Sequence, residues 1–177
     1  MSRASYGQRL VVFIFILTGL LLALVACGGQ VDPEPAPPVI HYGEDLCEFC
    51  GMIISDERYA AGYLTRDGAE HIFDDLGGMF RSHLQTQDAA QVAAFFVHDY
   101  EDVTWIRAET AHYVLSQDLP TPMLSGLVAC DTVEKAQALA AEVNGRVLAF
   151  EDVLAYYQEQ LAVAAEDEAQ HHPQTNH

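Results

Sequence analysis

The sequence predicts an α+β protein, one small domain of two tandem, similar ββαβ-like halves standing after a signal peptide and a proline-rich tether. Two observations point there. Short apolar segments with turn residues at their ends alternate with amphipathic runs at helical spacing. A stretch of the chain also matches a later one at a constant offset: Asp67-Gly68-Ala-Glu-His71-Ile72-Phe73-Asp74-Asp75-Leu76 lies over Asn144-Gly145-Arg-Val-Leu-Ala-Phe150-Glu151-Asp152-Val153, with Met79-Phe80 on Tyr156-Tyr157. Each copy reads as a turn pair, a short strand ending in phenylalanine, an acidic pair and an amphipathic run.

The ends of the chain carry different patterns. Arg3 and Arg9 precede an apolar run from Leu10 to Ala26, which closes on Leu24-Val25-Ala26-Cys27. Small residues leading into a cysteine predict a lipoprotein signal peptide over 1–26, cleaved so that Cys27 carries lipid. The alternative is an uncleaved membrane anchor, for which the run is just long enough. Either way the remainder lies outside the cytoplasm, on the periplasmic or outer-surface side. Residues 27–40 hold four prolines and no core-forming pattern, as expected of an extended tether. Residues 166–177, with His171, His172 and His177, lack apolar periodicity and predict a disordered tail. The domain is therefore expected over 41–165, with halves of about 41–100 and 101–165.

Within it, Met52 to Ile54 and Ala60 to Thr65 read as strands, and Arg66-Asp67-Gly68 turns the chain into another that ends at Phe73. Asp74 or Asp75 then caps a helix with Leu76, Met79, Phe80 and Leu84 on one face. Val92 to Val97 and Val103 to Ile106 follow as strands, and Thr110 to Leu115 as a strand or irregular edge. Gly126 to Ala129 is strand-like; Asp131 with Glu134 resembles a capping box before a helix carrying Val133, Ala136, Ala140 and Val143. Asn144-Gly145 stops that helix, with the glycine taking the left-handed conformation. Val147 to Phe150 returns as a strand, and Asp152 opens a last helix to about Ala164.

The chain has 8 Lys and Arg against 26 Asp and Glu, and loss of Arg3 and Arg9 with the signal leaves 6 − 26 = −20. Nucleic acid is excluded as a partner, because such binding releases phosphate counterions to basic side chains. The acidity fits solubility, or attraction of cations or a basic partner.

Chemistry concentrates in Cys47-Glu-Phe-Cys50-Gly-Met52, two thiols and a thioether within six residues. Soft sulfur donors grouped in this way suit Cu(I). With Cys27 lipidated, three cysteines remain, Cys47, Cys50 and Cys130, an odd number that leaves at least one free or ligating thiol. Cys47 and Cys50 can also be read as a local disulfide, half of a zinc site, or a redox dithiol. A second Cys-x-x-Cys for zinc is missing, as is the strand-then-helix context of a dithiol enzyme. Met52, separated from Cys50 by one glycine, can turn its sulfur to the same ion. Met123, in a loop fixed by Pro122, is the next candidate, whereas Met79 and Cys130 read as core. The terminal histidines offer at most a weak second metal site.

These residues resemble a known family. Cys50-Gly51-Met52 after a lipoprotein tether, Phe73-Asp74-Asp75-Leu76-Gly77, Met79-Phe80, Trp105-Ile106, Ala111-His-Tyr113-Val114 and Thr121-Pro122-Met123 are similar, in this order from His41 to Leu161, to NosL, the copper-binding lipoproteins of nitrous oxide reductase maturation in denitrification. The resemblance implies a monomeric α+β metallochaperone, not an enzyme, with Cu(I) held by Cys50, Met52 and Met123. It implies delivery to nitrous oxide reductase or its associated membrane ABC transporter. Cys47 is not general in the family, so it is an added ligand or a disulfide partner that would disable Cys50. Readings from other classes are a thiol-disulfide oxidoreductase using Cys47 and Cys50, and an interaction lipoprotein whose acidic face docks a basic partner.

Overall fold

The computed structural model describes residues 34–86 and 91–171. The expected signal peptide and Cys27 lie outside them. Strands β1 (Ala61–Thr65) and β2 (Glu70–Phe73) form an antiparallel hairpin about the Asp67-Gly68 turn, with Ala61 opposite Phe73. Helix α1 (Leu76–Gln85) follows, capped by Asp75 rather than Asp74. It buries Leu76, Met79 and Phe80, three of the four residues that the helical spacing placed on one face. Strands β3 (Val92–His98) and β4 (Trp105–Arg107) complete a four-stranded antiparallel sheet of order β2-β1-β3-β4.

A short 3-10 turn, Ala108–Thr110, leads to β5 (His112–Leu115), β6 (Leu127–Cys130), helix α2 (Val133–Glu142), β7 (Arg146–Leu148) and helix α3 (Phe150–His171). The second sheet is antiparallel with the order β6-β5-β7. The sheets meet where β3 runs on into Asp99, which bridges to Ala129 of β6, and the Tyr100 N–H donates to the Ala129 carbonyl at 2.8 Å. One core fills the space between them: Phe73, Leu76, Met79 and Phe80 from β2 and α1, Tyr113, Leu127 and Ala129 from the second sheet, Val153 and Tyr157 from α3. Phe80 stacks on Tyr157 with ring centroids 6.0 Å apart and meets Tyr113 edge-on at 5.8 Å, geometries that aromatic quadrupoles favour. A smaller cluster of Val114, Val128, Cys130, Ala136 and Ala140 lies beneath α2.

Several boundaries differ from the sequence expectations. The folded unit begins earlier than His41, because Pro38 is buried against Gly62 of β1 and the Val39 N–H donates to Glu70. Met52 to Ile54 is not a strand; only Ile53 forms an isolated bridge, to Leu46. β4 lies beyond residue 101 yet pairs with β3, so the first sheet extends to Arg107. The repeat at an offset of 77 lays β2 and α1 over β7 and α3, while by strand order and connection β6 and α2 follow β5 as β2 and α1 follow β1. Thr132, not Asp131, caps α2, accepting from the Lys135 N–H, and Asn144 rather than Gly145 has positive φ. Asp152 sits inside the first turn of α3, accepting from the Ala149 N–H at 3.0 Å. That helix continues to His171, well past Ala164 and into the expected tail.

Candidate metal centre

The thiols sit in a loop folded ahead of β1. Its frame is the Leu46–Ile53 bridge, with the Gly43 N–H donating to the Ile54 carbonyl at 2.8 Å and the Ile54 N–H to the Asp45 carbonyl at 2.9 Å. Inside the frame, Cys47 to Cys50 makes a single turn, closed by the Gly51 N–H on the Cys47 carbonyl at 2.8 Å and the Cys47 N–H on the Met52 carbonyl at 2.8 Å. Gly51 has φ of +73°, in the left-handed region where a Cβ is strained, so glycine at this position lets the turn reverse. The Glu48 N–H donates to the Ile72 carbonyl at 3.1 Å and fixes the turn on β2.

That docking carries Cys47 and Cys50 to the residue that follows β2. Cys47, Cys50 and Asp74 each offer a ligand atom, and the three atoms lie within 4.8 Å of one another. The Cys50 thiol donates to the Asp74 carboxylate, with sulfur-oxygen distances of 3.5 and 3.6 Å. Asp74 is 4% exposed and Cys47 2%, whereas Cys50 is half-buried. Burial pushes the Cys47 thiol up to about 12, and its hydrogen bond with the Asp74 carboxylate pushes the same way. Backbone N–H groups of Asp74, Cys50 and Phe49 act on that sulfur in the opposite sense. The pocket therefore keeps Cys47 as a thiol when no cation is present, and it supplies N–H donors suited to a thiolate once one displaces the proton. Both cysteines, and Cys130, are free, so the disulfide reading does not describe this state.

Asp74 is the site residue that the sequence reading missed. The signal was the acidic pair itself: a helix needs one N-cap carboxylate, and Asp75 fills that place, leaving the second unexplained. Met52 is 48% exposed on the loop beside Cys50. Met123 is half-buried over the start of α1, where its sulfur and the Phe49 ring flank Gly78. A Cβ built on Gly78 would lie 3.3 Å from Met123 Sδ and 3.5 Å from Phe49 Cδ1, so the Met123 loop and the cysteine loop meet at one glycine. Met79 is fully buried in the core, and Cys130, buried beneath α2, lies with a different cluster.

The family model NosL matches residues 38–157. The chain belongs to the NosL family. A relative from Stutzerimonas stutzeri, the copper-binding lipoprotein NosL, is 30% identical over 148 residues, covering 77% of this chain and 78% of its own. The fold is that of a solved NosL structure, the copper chaperone from Shewanella denitrificans, with a TM-score of 0.59 at 22% identity over 68% of this chain and 96% of that one. The NosL match begins at Pro38, the first buried residue among those described, and ends at Tyr157, whose ring packs on Phe80 of α1. It therefore spans both sheets and the cysteine loop. Among the described residues, no helix is long and apolar enough to cross a membrane.

Proposed function

We propose that this chain is an extracytoplasmic Cu(I) chaperone, anchored through lipid on Cys27, that delivers its ion by ligand exchange and catalyses no bond chemistry. The observation that carries this reading is the convergence of two free thiols and the Asp74 carboxylate in a loop that leaves Cys50 half-buried and Met52 exposed. Thiolate and thioether donors suit Cu(I), and the names of the relatives, a copper-binding lipoprotein and a copper chaperone, agree with that chemistry.

In this scheme Met52, which is exposed, and Cys50, which is less enclosed than Cys47, take the ion first, with Met123 as a further thioether. Cys47 and Asp74 lie behind them; Cys47 adds a ligand when its proton leaves. A thioether is neutral and carries no proton at working pH, so a mixed site holds copper without a full set of anionic thiolates. A recipient's own sulfur or nitrogen donors replace these ligands stepwise from the exposed side. The recipient proposed is nitrous oxide reductase or a related copper enzyme, reached directly or through its membrane ABC transporter. The dithiol-oxidoreductase alternative fits less well, because Cys47 is buried and its thiol is held up to about 12, whereas redox dithiols depend on a depressed thiol pKa.

The test is an anaerobic Cu(I) titration of the reduced protein against a chromophoric Cu(I) chelator. The wild type is expected to bind one tight equivalent, with Cys50→Ser abolishing it and Met52→Ala weakening it while the circular dichroism spectrum is unchanged. Failure of the wild type to compete for Cu(I) overturns the reading.

A further inference from the structure

The Met123 loop has no regular secondary structure, yet it is held at one place on α1, and the residue that holds it is Asp75. This side chain is fully buried. Its Oδ1 accepts from the Gly77 N–H at 2.7 Å and the Gly78 N–H at 3.4 Å, the helix N-cap. Its Oδ2 accepts from the Met123 backbone N–H at 3.1 Å, across 48 residues of sequence. One carboxylate thus serves the helix with one oxygen and the loop with the other. Asp74, its chain neighbour, bonds the thiols, so adjacent carboxylates address the two halves of the candidate sulfur set.

The glycine pair explains the close fit. Glycine is the costliest ordinary residue in a helix after proline, and here two stand in the first turn. A Cβ on Gly77 would lie 2.5 Å from Ser125 Cβ and 2.4 Å from Tyr157 Oη, and one on Gly78 3.3 Å from Met123 Sδ. A side chain at Gly77 would collide with the loop at Ser125, and one at Gly78 would press on the Met123 thioether. The loop is otherwise closed on itself: the Leu124 N–H donates to the Thr121 carbonyl at 2.9 Å and the Gly126 N–H to Thr121 Oγ1 at 3.1 Å. Its internal bonds give it shape and Asp75 gives it an address.

The geometry points to Asp75 as the positioning residue of the copper site, fixing the thioether of Met123 against the cysteine loop while ligating nothing itself. This rests on the copper reading above. A partner that orients a ligand typically contributes ten- to a hundredfold to metal affinity when it is removed. Asp75→Asn separates its two duties, because an amide has one oxygen and can accept from the helix or from Met123, but not from both.

The experiment measures Cu(I) affinity by chelator competition, and counts sulfur neighbours by X-ray absorption at the copper edge, on the full chain in detergent. Wild type is compared with Asp75→Asn, Gly78→Ala and Met123→Leu, and Asp75→Asn is repeated in the Met123→Leu and Met52→Ala backgrounds. Expected is an affinity loss of about ten- to a hundredfold for Asp75→Asn, with one sulfur neighbour fewer, as in Met123→Leu. The loss should vanish in the Met123→Leu background and persist in Met52→Ala, since only coupled residues are non-additive. Gly78→Ala, which favours the helix and presses on Met123 Sδ, is expected to weaken Cu(I) binding without loss of fold. An unchanged sulfur count in Asp75→Asn, equal losses in both backgrounds, or a Met123→Leu variant that binds like wild type overturns the inference while leaving a copper site intact. A wild type that binds no Cu(I) overturns the copper reading itself.

Discussion

Cys47 and Cys50 are three residues apart and face one carboxylate, but they differ in how far the fold encloses them. Cys50 is half-buried; Cys47 is enclosed, with burial and Asp74 pushing it up to about 12. Cys130 is also enclosed, pushed up to about 11 by burial and then by the nearby Asp99 charge. Nucleophilic attack runs through the thiolate. In the folded, reduced protein, iodoacetamide at mildly alkaline pH is therefore expected to label Cys50 well before Cys47 and Cys130, as read by peptide mass spectrometry. Equal labelling of all three would contradict the enclosure of Cys47. The same asymmetry shows what was legible at this scale. Cys47, Cys50, Met52 and Met123 stand out in sequence because sulfur is rare and the spacing is short. Asp74 does not, because a carboxylate before a helix already has a capping explanation; only the fold shows that Asp75 takes that role.

At the scale of elements, α1 carries the site. Its N-terminus receives the Met123 loop, its first turn lies against Ser125 and Tyr157, and the residues just before it supply Asp74 and Asp75. Gly77→Ala adds a methyl group 2.4 Å from Tyr157 Oη and 2.5 Å from Ser125 Cβ, so overpacking outweighs the gain in helix propensity. A net destabilisation of about 1–3 kcal/mol is expected from urea unfolding. A stabilised variant would mean that α3 or the loop moves aside freely. Elements with strong periodicity were readable: α1 from Leu76, Met79 and Phe80, and α2 from Ala136 and Ala140. The stretch from Met52 to Ile54 misled because β-branched residues there meet only a single bridge, their backbone being used to close the cysteine loop. The offset of 77 paired β2 with β7 and not with β6, because a short strand, an acidic cap and a helix recur wherever a helix follows a strand. Strand order depends on contacts that a local match does not contain.

Across the whole molecule, the two sheets are joined at a charged knot. Asp99, fully buried, accepts from the backbone N–H groups of Glu101, Asp102 and Asp131 at 3.1, 2.7 and 2.9 Å, and from Lys135 Nζ at 3.2 Å. Lys135 also reaches Asp131 at 2.9 Å and Asp102. Burial alone would raise the Asp99 carboxyl, but the N–H groups of Asp102 and Asp131 and the Lys135 ammonium outweigh it and hold it below the usual carboxylate range. A carboxylate lowered in the folded state stabilises the fold above its unfolded pKa, about 3.9. That contribution is lost as pH falls through the folded value. Asp99→Asn is expected to cost about 2 kcal/mol at neutral pH, since hydrogen bonds to a charged group are replaced by fewer neutral ones. The difference between variant and wild type should shrink as acid protonates Asp99. The comparison isolates this one group: the chain carries 26 acidic residues, whose mutual repulsion also falls on acidification, but 25 of them are common to both proteins and cancel. Urea unfolding of both at neutral pH and below the ordinary carboxylate range decides it. A difference that stays constant with pH would mean that Asp99 joins the sheets by shape and neutral hydrogen bonding, and not by its charge.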